Sequence, residues 1–196
     1  MVPRLLLISS LYLSLLHCHM AHGAEMLYIE LWKENDTYKL RSASLIDAPP
    51  ELIFKTLVDY DHFYRLSHGI KETRFLKPDP DGTPIAETII ESCVLFFCKK
   101  ITKTERVIIN NDRTIQLSAD PQRSDFKYLS SSWTVSKHGK QTRLAFDMDM
   151  IPDFWIPPLI GEWAIKRKLY TSAMNMARRM EYMAATDTPL SEFSIK

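Results

Sequence analysis

The feature that most constrains the fold is a series of strand-like segments between Ile70 and Ile151, each separated from the next by a short turn. Strong turn signals divide them, such as Pro78-Asp79-Pro80-Asp81-Gly82 and Lys137-His138-Gly139-Lys140. Connections this short join antiparallel neighbours, because a parallel pair needs a crossover of a dozen or more residues. The sequence therefore predicts an antiparallel meander whose strands cover about 71–77, 84–96, 99–109, 113–119, 126–137 and 141–151.

Shorter elements flank this meander. Residues 26–46 alternate between apolar and polar on either side of a polar turn, which is typical of a hairpin or of one long bent strand pair. Pro49-Pro50 is expected to open one helix, because proline is tolerated in a first turn, and a second short helix is expected from His62 to Leu66. A long helix is expected from Pro157 to about Ala185. This order predicts an α+β fold in which a curved antiparallel sheet grips the C-terminal helix, with two short helices after the first strands.

The first 23 residues have the pattern of a secretory signal peptide. Arg4 precedes a leucine-rich run over residues 5–16, which is too short to span a bilayer comfortably. Ala21 and Gly23 then supply small residues at positions −3 and −1 of a cleavage site. Residues 1–23 are therefore expected to be cleaved off, and an uncleaved membrane anchor is the alternative.

Cleavage there would leave a domain of residues 24–185 and a frayed C-terminal tail of residues 186–196, in the periplasm or outside the cell. Removing Arg4 from the 25 basic residues balances them against the 24 acidic ones. A neutral chain has no excess of cations to neutralise phosphates, so nucleic acid is not an expected partner.

Cys93 and Cys98 are the two cysteines that remain after the signal peptide. Five residues of extended strand span about 16 Å, which is too far for a disulfide, so a bridge requires residues 94–97 to form a hairpin turn. The apolar run over residues 85–109 is much longer than a usual strand and must turn or bend. An oxidising compartment favours a bridged hairpin. The alternative is two separate thiols in one continuous or bulged strand.

Polar residues give no clear catalytic, metal or cofactor site. The histidines after the signal peptide are scattered, and no glycine-rich loop could hold a phosphate, so neither a metal nor a cofactor is expected. Two carboxylate pairs share a strand face, Glu87 with Glu91 and Asp147 with Asp149. The apolar alternation around each pair indicates that both face water.

Three stretches carry a family resemblance: residues 48–64, 69–74 and 156–163. The first runs from a proline-initiated helix into Asp59-Tyr60-Asp61, and the last is Ile156-Pro157-Pro158-Leu159-Ile160-Gly161-Glu162-Trp163. Over residues 26–185 the chain resembles the START-like, helix-grip superfamily, which includes polyketide cyclase/dehydrase-like proteins and coenzyme Q-binding domains. The resemblance implies a cavity between sheet and helix that binds a hydrophobic small molecule, lipid-like or quinone-like. A cyclase- or dehydrase-type enzyme acting in the same cavity and a protein-interaction module are the alternatives.

Apolar side chains near the last strand and the last helix are the candidate ligand contacts. Helical positions recur every three or four residues from Ile160 to Ala184, and this stripe either packs solidly on the sheet or lines the implied cavity. The loop over residues 151–158 either folds onto the core or forms a lip that makes a transient contact with a membrane or ligand. The candidate ligand-binding residues are Phe146, Met148, Met150, Trp155, Trp163, Arg167, Tyr170, Met174 and Met180.

Overall fold

The fold was taken from a computed structural model, which describes residues 23–194. The predicted signal peptide up to residue 22 lies outside the described residues. The strands are β1 (Glu25–Glu34), β2 (Thr37–Ile46), β3 (Ile70–Leu76), β4 (Ile85–Val94), β5 (Phe97–Asn111), β6 (Thr114–Ala119), β7 (Phe126–His138) and β8 (Gln141–Pro152). The helices are α1 (Pro50–Val58) and α2 (Glu162–Thr186), with one 3-10 turn at Phe63–Leu66.

All eight strands form one antiparallel sheet in the order β1-β2-β8-β7-β6-β5-β4-β3. The meander from β3 to β8 follows chain order, and the β1–β2 hairpin pairs with β8. Helix α2 packs against β1 and β2 at one end of the sheet and touches β4 and the 3-10 turn near the other. The prediction of an α+β helix-grip fold is confirmed, as is the hairpin over residues 26–46.

Two predicted helices differ in detail. The second short helix is a single 3-10 turn, and α2 begins at Glu162 rather than at Pro157. A residue before a proline is disfavoured in the helical region, so Ile156 and Pro157 stay outside any helix. The amide of Ile160 closes a turn on the carbonyl of Pro157, and Gly161 then caps the helix.

The expectation of a frayed tail is wrong for residues 187–194. Leu190 and Phe193 are buried in the hydrophobic core. The Phe193 ring packs edge-on against Tyr182 at 5.9 Å, and its carbonyl accepts a 2.7 Å hydrogen bond from Arg65. The burial of these two large apolar side chains contributes about 1.5–3 kcal/mol each toward ordering this segment.

The core lies between the inner face of the sheet and the C-terminal half of α2. Residues of neighbouring strands that pair directly share a face, and this face carries Ile46, Ile115, Val135 and Leu144. Met180 and Met183 of α2 pack onto them and are fully or almost fully buried. The other core members include Ile53 and Leu57 of α1, Leu66, Ala86, Val107, Leu117 and Ala177.

Strands β4 and β5 form the hairpin that a disulfide requires. Cys93 lies directly opposite Cys98, and the two are disulfide-bonded. The two-residue turn is Leu95-Phe96, and Leu95 adopts a left-handed backbone (φ 55°), which such a turn demands of any residue placed there. The prediction of a bridged hairpin is confirmed, and the alternative of one continuous strand is wrong.

Among residues 23–194, no helix is both long enough and apolar enough to cross a membrane.

Candidate functional site

The inner face of the sheet has a closed half and an open half. The closed half is the core beneath the C-terminal part of α2. Further along β7 and β8, the inner-face side chains of Trp133, Phe146, Met148 and Met150 stay partly exposed to solvent. Because α2 starts beyond the end of β8 and runs back over the sheet, its N-terminal half lies on the same side as these residues. We call this region the groove.

Small residues beside large ones give the groove its shape. Phe146 is flanked on the neighbouring strands by Ser42 and Trp133, and Met148 is flanked by Leu40 and Ser131. A serine fills much less volume than the aliphatic residues at equivalent core positions, and Ser42 and Ser131 are both buried between the larger side chains. The rings of Trp133 and Phe146 lie 4.1 Å apart, centroid to centroid, and form an aromatic wall. The result is a partly exposed apolar surface with two serines buried beneath it.

Three of the candidate ligand-binding residues line this groove. Phe146, Met148 and Met150 lie on the inner face, as the alternation of β8 predicts. Met174 and Met180 are buried, and Met180 is part of the solid core. Whether any of the nine residues contacts a ligand stays a prediction.

The remaining candidates lie on the surface, and the predicted helical stripe is wrong in its first half. Trp163, Arg167 and Tyr170 are exposed, and Trp155 in the preceding loop is 69% exposed. The covered positions of this half of α2 are Ala164, which is buried, and Ile165, Leu169 and Ala173, which are half-buried. Successive side chains of a helix point about 100° apart, so a stripe shifted by one residue lies on a different face. The stripe predicted from the large aromatic residues was shifted in this way from the face that is covered. The alanines at 164 and 173 were the better signal.

Strand β5 carries two charged side chains, Lys103 and Glu105, on the inner face of the sheet. Neither was predicted from the sequence as a site residue. Glu105 is 1% exposed, and its Oε2 accepts a 2.9 Å hydrogen bond from the Lys103 ammonium group. Its Oε1 has no hydrogen-bond partner within residues 23–194. Ile101, Lys103, Glu105 and Val107 follow one another on one face of β5, with the two charges between two apolar residues. The period of two could therefore have revealed Lys103 and Glu105 as inward-facing charges.

Two further polar groups belong to the buried set. Tyr60 is buried, and burial together with the charge of Glu105 raises the pKa of its phenol well above the ordinary value. Arg179 on α2 has a buried Nη1 atom with no hydrogen-bond partner among the described residues, and burial lowers the pKa of its guanidinium group. These groups place polar atoms in the interior of the protein. A purely structural core does not need them, because burying a polar atom without a hydrogen-bond partner costs free energy.

The two carboxylate pairs lie on the outer face, as predicted. Asp147 and Asp149 form ion pairs with Arg41 at 3.5 and 2.7 Å. Glu87 pairs with Arg74 at 2.6 Å, and Glu91 is exposed. Within residues 23–194, no three histidine, cysteine or acidic side chains are grouped closely enough to hold a metal ion.

Two surface depressions lie away from the groove. One, of about 370 Å³, is bounded by the end of β2, the β7–β8 turn and the end of α2, near Pro49 and Ala185. The other, of about 250 Å³, lies between the β3–β4 and β6–β7 loops, where Asp79 and Arg106 form an ion pair. Neither contains Phe146, Met148 or Met150.

Comparison with known proteins agrees with this architecture. The sequence profile of the family described as "Polyketide cyclase / dehydrase and lipid transport" matches residues 46–177. A search of curated proteins finds no match.

Several solved structures are similar in fold. A START superfamily protein from Mycobacterium smegmatis is 16% identical, with a TM-score of 0.58 over 76% of this chain and 99% of the other. A STAR-related lipid transfer protein from Xanthomonas axonopodis is 12% identical, with a TM-score of 0.59 over 82% and 94%. The Zhui aromatase/cyclase from Streptomyces sp. R1128 is 9% identical, with a TM-score of 0.56 over 81% and 99%. At these identities the likeness shows the fold alone.

Proposed function

The chain belongs to the polyketide cyclase/dehydrase and lipid transport family, and we propose that it binds a hydrophobic small molecule, lipid-like or quinone-like, in the groove. The observation that carries the proposal is the partial exposure of Trp133, Phe146, Met148 and Met150 on the face that forms the core elsewhere. Apolar side chains left partly in water gain free energy when a ligand covers them, at about 25 cal/mol per Å² of apolar surface. Methionine suits this role because its flexible thioether adapts to ligands of different shape.

The buried polar groups favour a ligand with one polar end. Lys103 on β5 is partly exposed on the inner face, and Ser42 and Ser131 are buried beneath the apolar side chains, where the Ser42 hydroxyl donates to the carbonyl of Phe146 at 3.3 Å. A hydroxyl, carbonyl or carboxyl group of the ligand would accept a hydrogen bond from the Lys103 ammonium group, while its apolar part would contact Phe146 and Met148. This distribution supports an amphiphilic ligand over a pure hydrocarbon.

Export and a transient membrane contact complete the proposal. The leucine-rich run and the small residues at 21 and 23 support cleavage after Gly23. Strand β1 begins at Glu25, so such a cleavage would leave every described strand and helix intact. A protein that carries a poorly soluble molecule outside the cytoplasm needs to collect it from, or deliver it to, a lipid surface.

Displacement of a fluorescent fatty-acid analogue from the purified domain tests ligand binding. We expect long-chain phospholipids or quinones to displace the probe. The Met148→Lys variant should weaken probe binding by roughly a hundredfold, because a charge buried beside an apolar ligand costs several kcal/mol. Gln116→Lys places the same charge on the outer face, at an exposed position of β6, and should bind as the unchanged protein does.

A second variant separates loss of the groove from loss of the fold. Ser131→Leu fills the groove with apolar volume and adds no charge, and it should also reduce probe binding. Thermal unfolding of both variants checks that they fold. Unchanged affinity in folded Met148→Lys and Ser131→Leu proteins would show that the groove is not the binding site.

A cyclase- or dehydrase-type enzyme is the second candidate, and the Lys103–Glu105 pair is the observation that favours it. A carboxylate and an ammonium group 2.9 Å apart inside an apolar site can move a proton to and from a substrate. Lipid extraction and mass spectrometry of the purified protein would identify the bound molecule. Incubating that molecule with fresh protein then decides between the candidates, because an enzyme changes its mass or structure and a carrier releases it unchanged.

A further inference from the structure

We propose that one end of the molecule, which we call the apolar tip, docks on the surface of an anionic lipid bilayer. The tip consists of the turn residues Leu95 and Phe96 and of Trp155, Leu159 and Trp163 from the β8–α2 connection. All five side chains are more than half exposed, with Leu159 at 80% and Phe96 at 70%. The inference rests on the membrane contact in the proposed function and names its residues and its lipid class.

The two segments of the tip are neighbours in space. The Lys99 ammonium group lies 5.3 Å from the ring centroid of Phe154, so the base of the β4–β5 hairpin contacts the start of the β8–α2 connection. The amide of Asp153 also donates to the carbonyl of Asp125 in the β6–β7 loop, and the amide of Asp125 donates to the carbonyl of Thr102 on β5. Leu95 and Phe96 extend beyond this contact at the end of the hairpin. Both segments therefore lie at the end of the molecule where β8 leads into α2.

The residues of the hairpin turn serve the fold poorly. A two-residue turn between antiparallel strands favours Asn-Gly or Asp-Gly, because these residues adopt positive φ at low cost. Here Leu95 adopts φ 55° and exposes its side chain, and Phe96 beside it is still more exposed. The Cys93–Cys98 disulfide ties the strands together directly below the turn. A rigid hairpin that presents two large apolar side chains to water is explained by a partner that receives them.

The charges around the tip identify that partner as an anionic surface. Lys100 lies on β5 near the turn, opposite Glu91, and Lys166, Arg167 and Lys168 are on the first turns of α2, all of them exposed. None of these four makes an ion pair within the described part of the chain. The acidic side chains nearby are Glu91, Asp153 and Glu162, of which Glu91 and Asp153 pair with Lys71 and Lys127. Unpaired cations around exposed tryptophans match the headgroup region of an anionic bilayer.

Sedimentation with vesicles tests the proposal. The intact domain is expected to bind vesicles of equal parts phosphatidylcholine and phosphatidylglycerol, and to bind phosphatidylcholine vesicles more weakly. The Leu95→Asn/Phe96→Gly variant installs a favoured hairpin turn, so it should fold at least as well as the unchanged protein. We expect it to bind the anionic vesicles roughly tenfold more weakly or worse, since two apolar contacts are lost. The Lys166→Gln/Arg167→Gln/Lys168→Gln variant should reduce the salt dependence of binding, because only Lys100 of the four cations remains.

Controls separate this proposal from ligand binding. Ile108→Gln removes an exposed apolar side chain near the opposite end of β5 and should leave vesicle binding unchanged. Probe binding in the groove should persist in the Leu95→Asn/Phe96→Gly variant, so failure of one proposal is visible without the other. Equal vesicle binding by that variant and the unchanged protein would overturn the proposal. So would a tip that only joins two copies of this chain, seen as a dimer in sedimentation with no binding to vesicles.

Discussion

Tyr60 shows how one buried residue connects the fold to the polar interior. Its ring packs against Phe63 and Phe75, with ring centroids 5.7 and 5.3 Å away. Burial and the charge of Glu105 both disfavour the phenolate and raise the pKa of Tyr60 above its ordinary value of 10. The neutral phenol is therefore stabilised by the fold.

This raised pKa predicts a loss of stability in alkali. A group whose pKa is higher in the folded than in the unfolded state contributes its full stabilisation below the unfolded value and loses it as the pH rises further. Above about pH 10, the free energy of unfolding should fall by about 1 kcal/mol per pH unit through Tyr60. Urea unfolding near pH 9 and pH 11 measures this, and Tyr60→Phe should have the smaller pH dependence. Tyr170→Phe, at an exposed position, should behave as the unchanged protein. An identical pH dependence in Tyr60→Phe would contradict the assignment.

The sequence predicts on which face a groove residue lies when that residue belongs to a strand. The period of two is unambiguous in β8, so Phe146 and Met148 were placed on the correct face. Trp163 and Arg167 were placed on the wrong face of α2, because helical spacing allows two adjacent stripes and size alone does not choose between them. Glu105 was missed because charged side chains are almost never fully buried, although the period of two in β5 places it and Lys103 on the inward face.

At the scale of an element, the β4–β5 hairpin is joined by a covalent bond near its turn as well as by strand pairing. In the chain-entropy model, closing a short loop stabilises the folded state by about 2 kcal/mol, since the bond restricts the unfolded chain. Replacing both Cys93 and Cys98 by serine should lower the free energy of unfolding by that amount. Urea unfolding of the two proteins measures the difference, and thiol counting on the oxidised domain should find no free thiol.

The same double variant tests whether the bond acts locally. The cysteines are exposed and distant in the sheet from β8, so probe binding in the groove should not change. Vesicle binding should weaken, because the apolar turn would no longer be held rigidly. Two free thiols in the unmodified, oxidised domain would show that the bridge does not form in solution.

Turns, strands and the C-terminal end of α2 were predicted closely, and the start of α2 and the packing of the C-terminal segment were not. The turn signals of the meander are local, so the strand bounds agree with the structure to within a few residues. The start of α2 is set by the local prolines and the turn that Ile160 closes on Pro157, whereas the packing of residues 187–194 depends on contacts made far away in the sequence. Phe193, for example, is held by Tyr182 and Arg65, and nothing in the local sequence names those partners.

At the scale of the whole molecule, the groove and the apolar tip lie at the same end. Both are formed where β8 gives way to α2, while the closed core lies toward the other end of the helix. If the tip contacts a bilayer, the open half of the inner face is the part nearest to the lipid. This arrangement joins the two proposals, because a hydrophobic ligand would have only a short path between membrane and groove.

Export is the last prediction and concerns the whole chain. Cleavage after Gly23 would leave Ala24, which packs partly against the core, and β1 would begin one residue later. The Cys93–Cys98 bond is the kind of bond that persists in an oxidising compartment.

Expressed with its leader in a Gram-negative bacterium, the protein should be recovered from the periplasm with an N-terminus at Ala24 or Glu25. Mass spectrometry of the intact protein measures both the N-terminus and the disulfide. A Gly23→Leu variant should block processing by removing the small residue at −1, and its product should stay in the membrane fraction. Recovery of the unmodified protein with Met1 in the membrane fraction would instead support the uncleaved anchor.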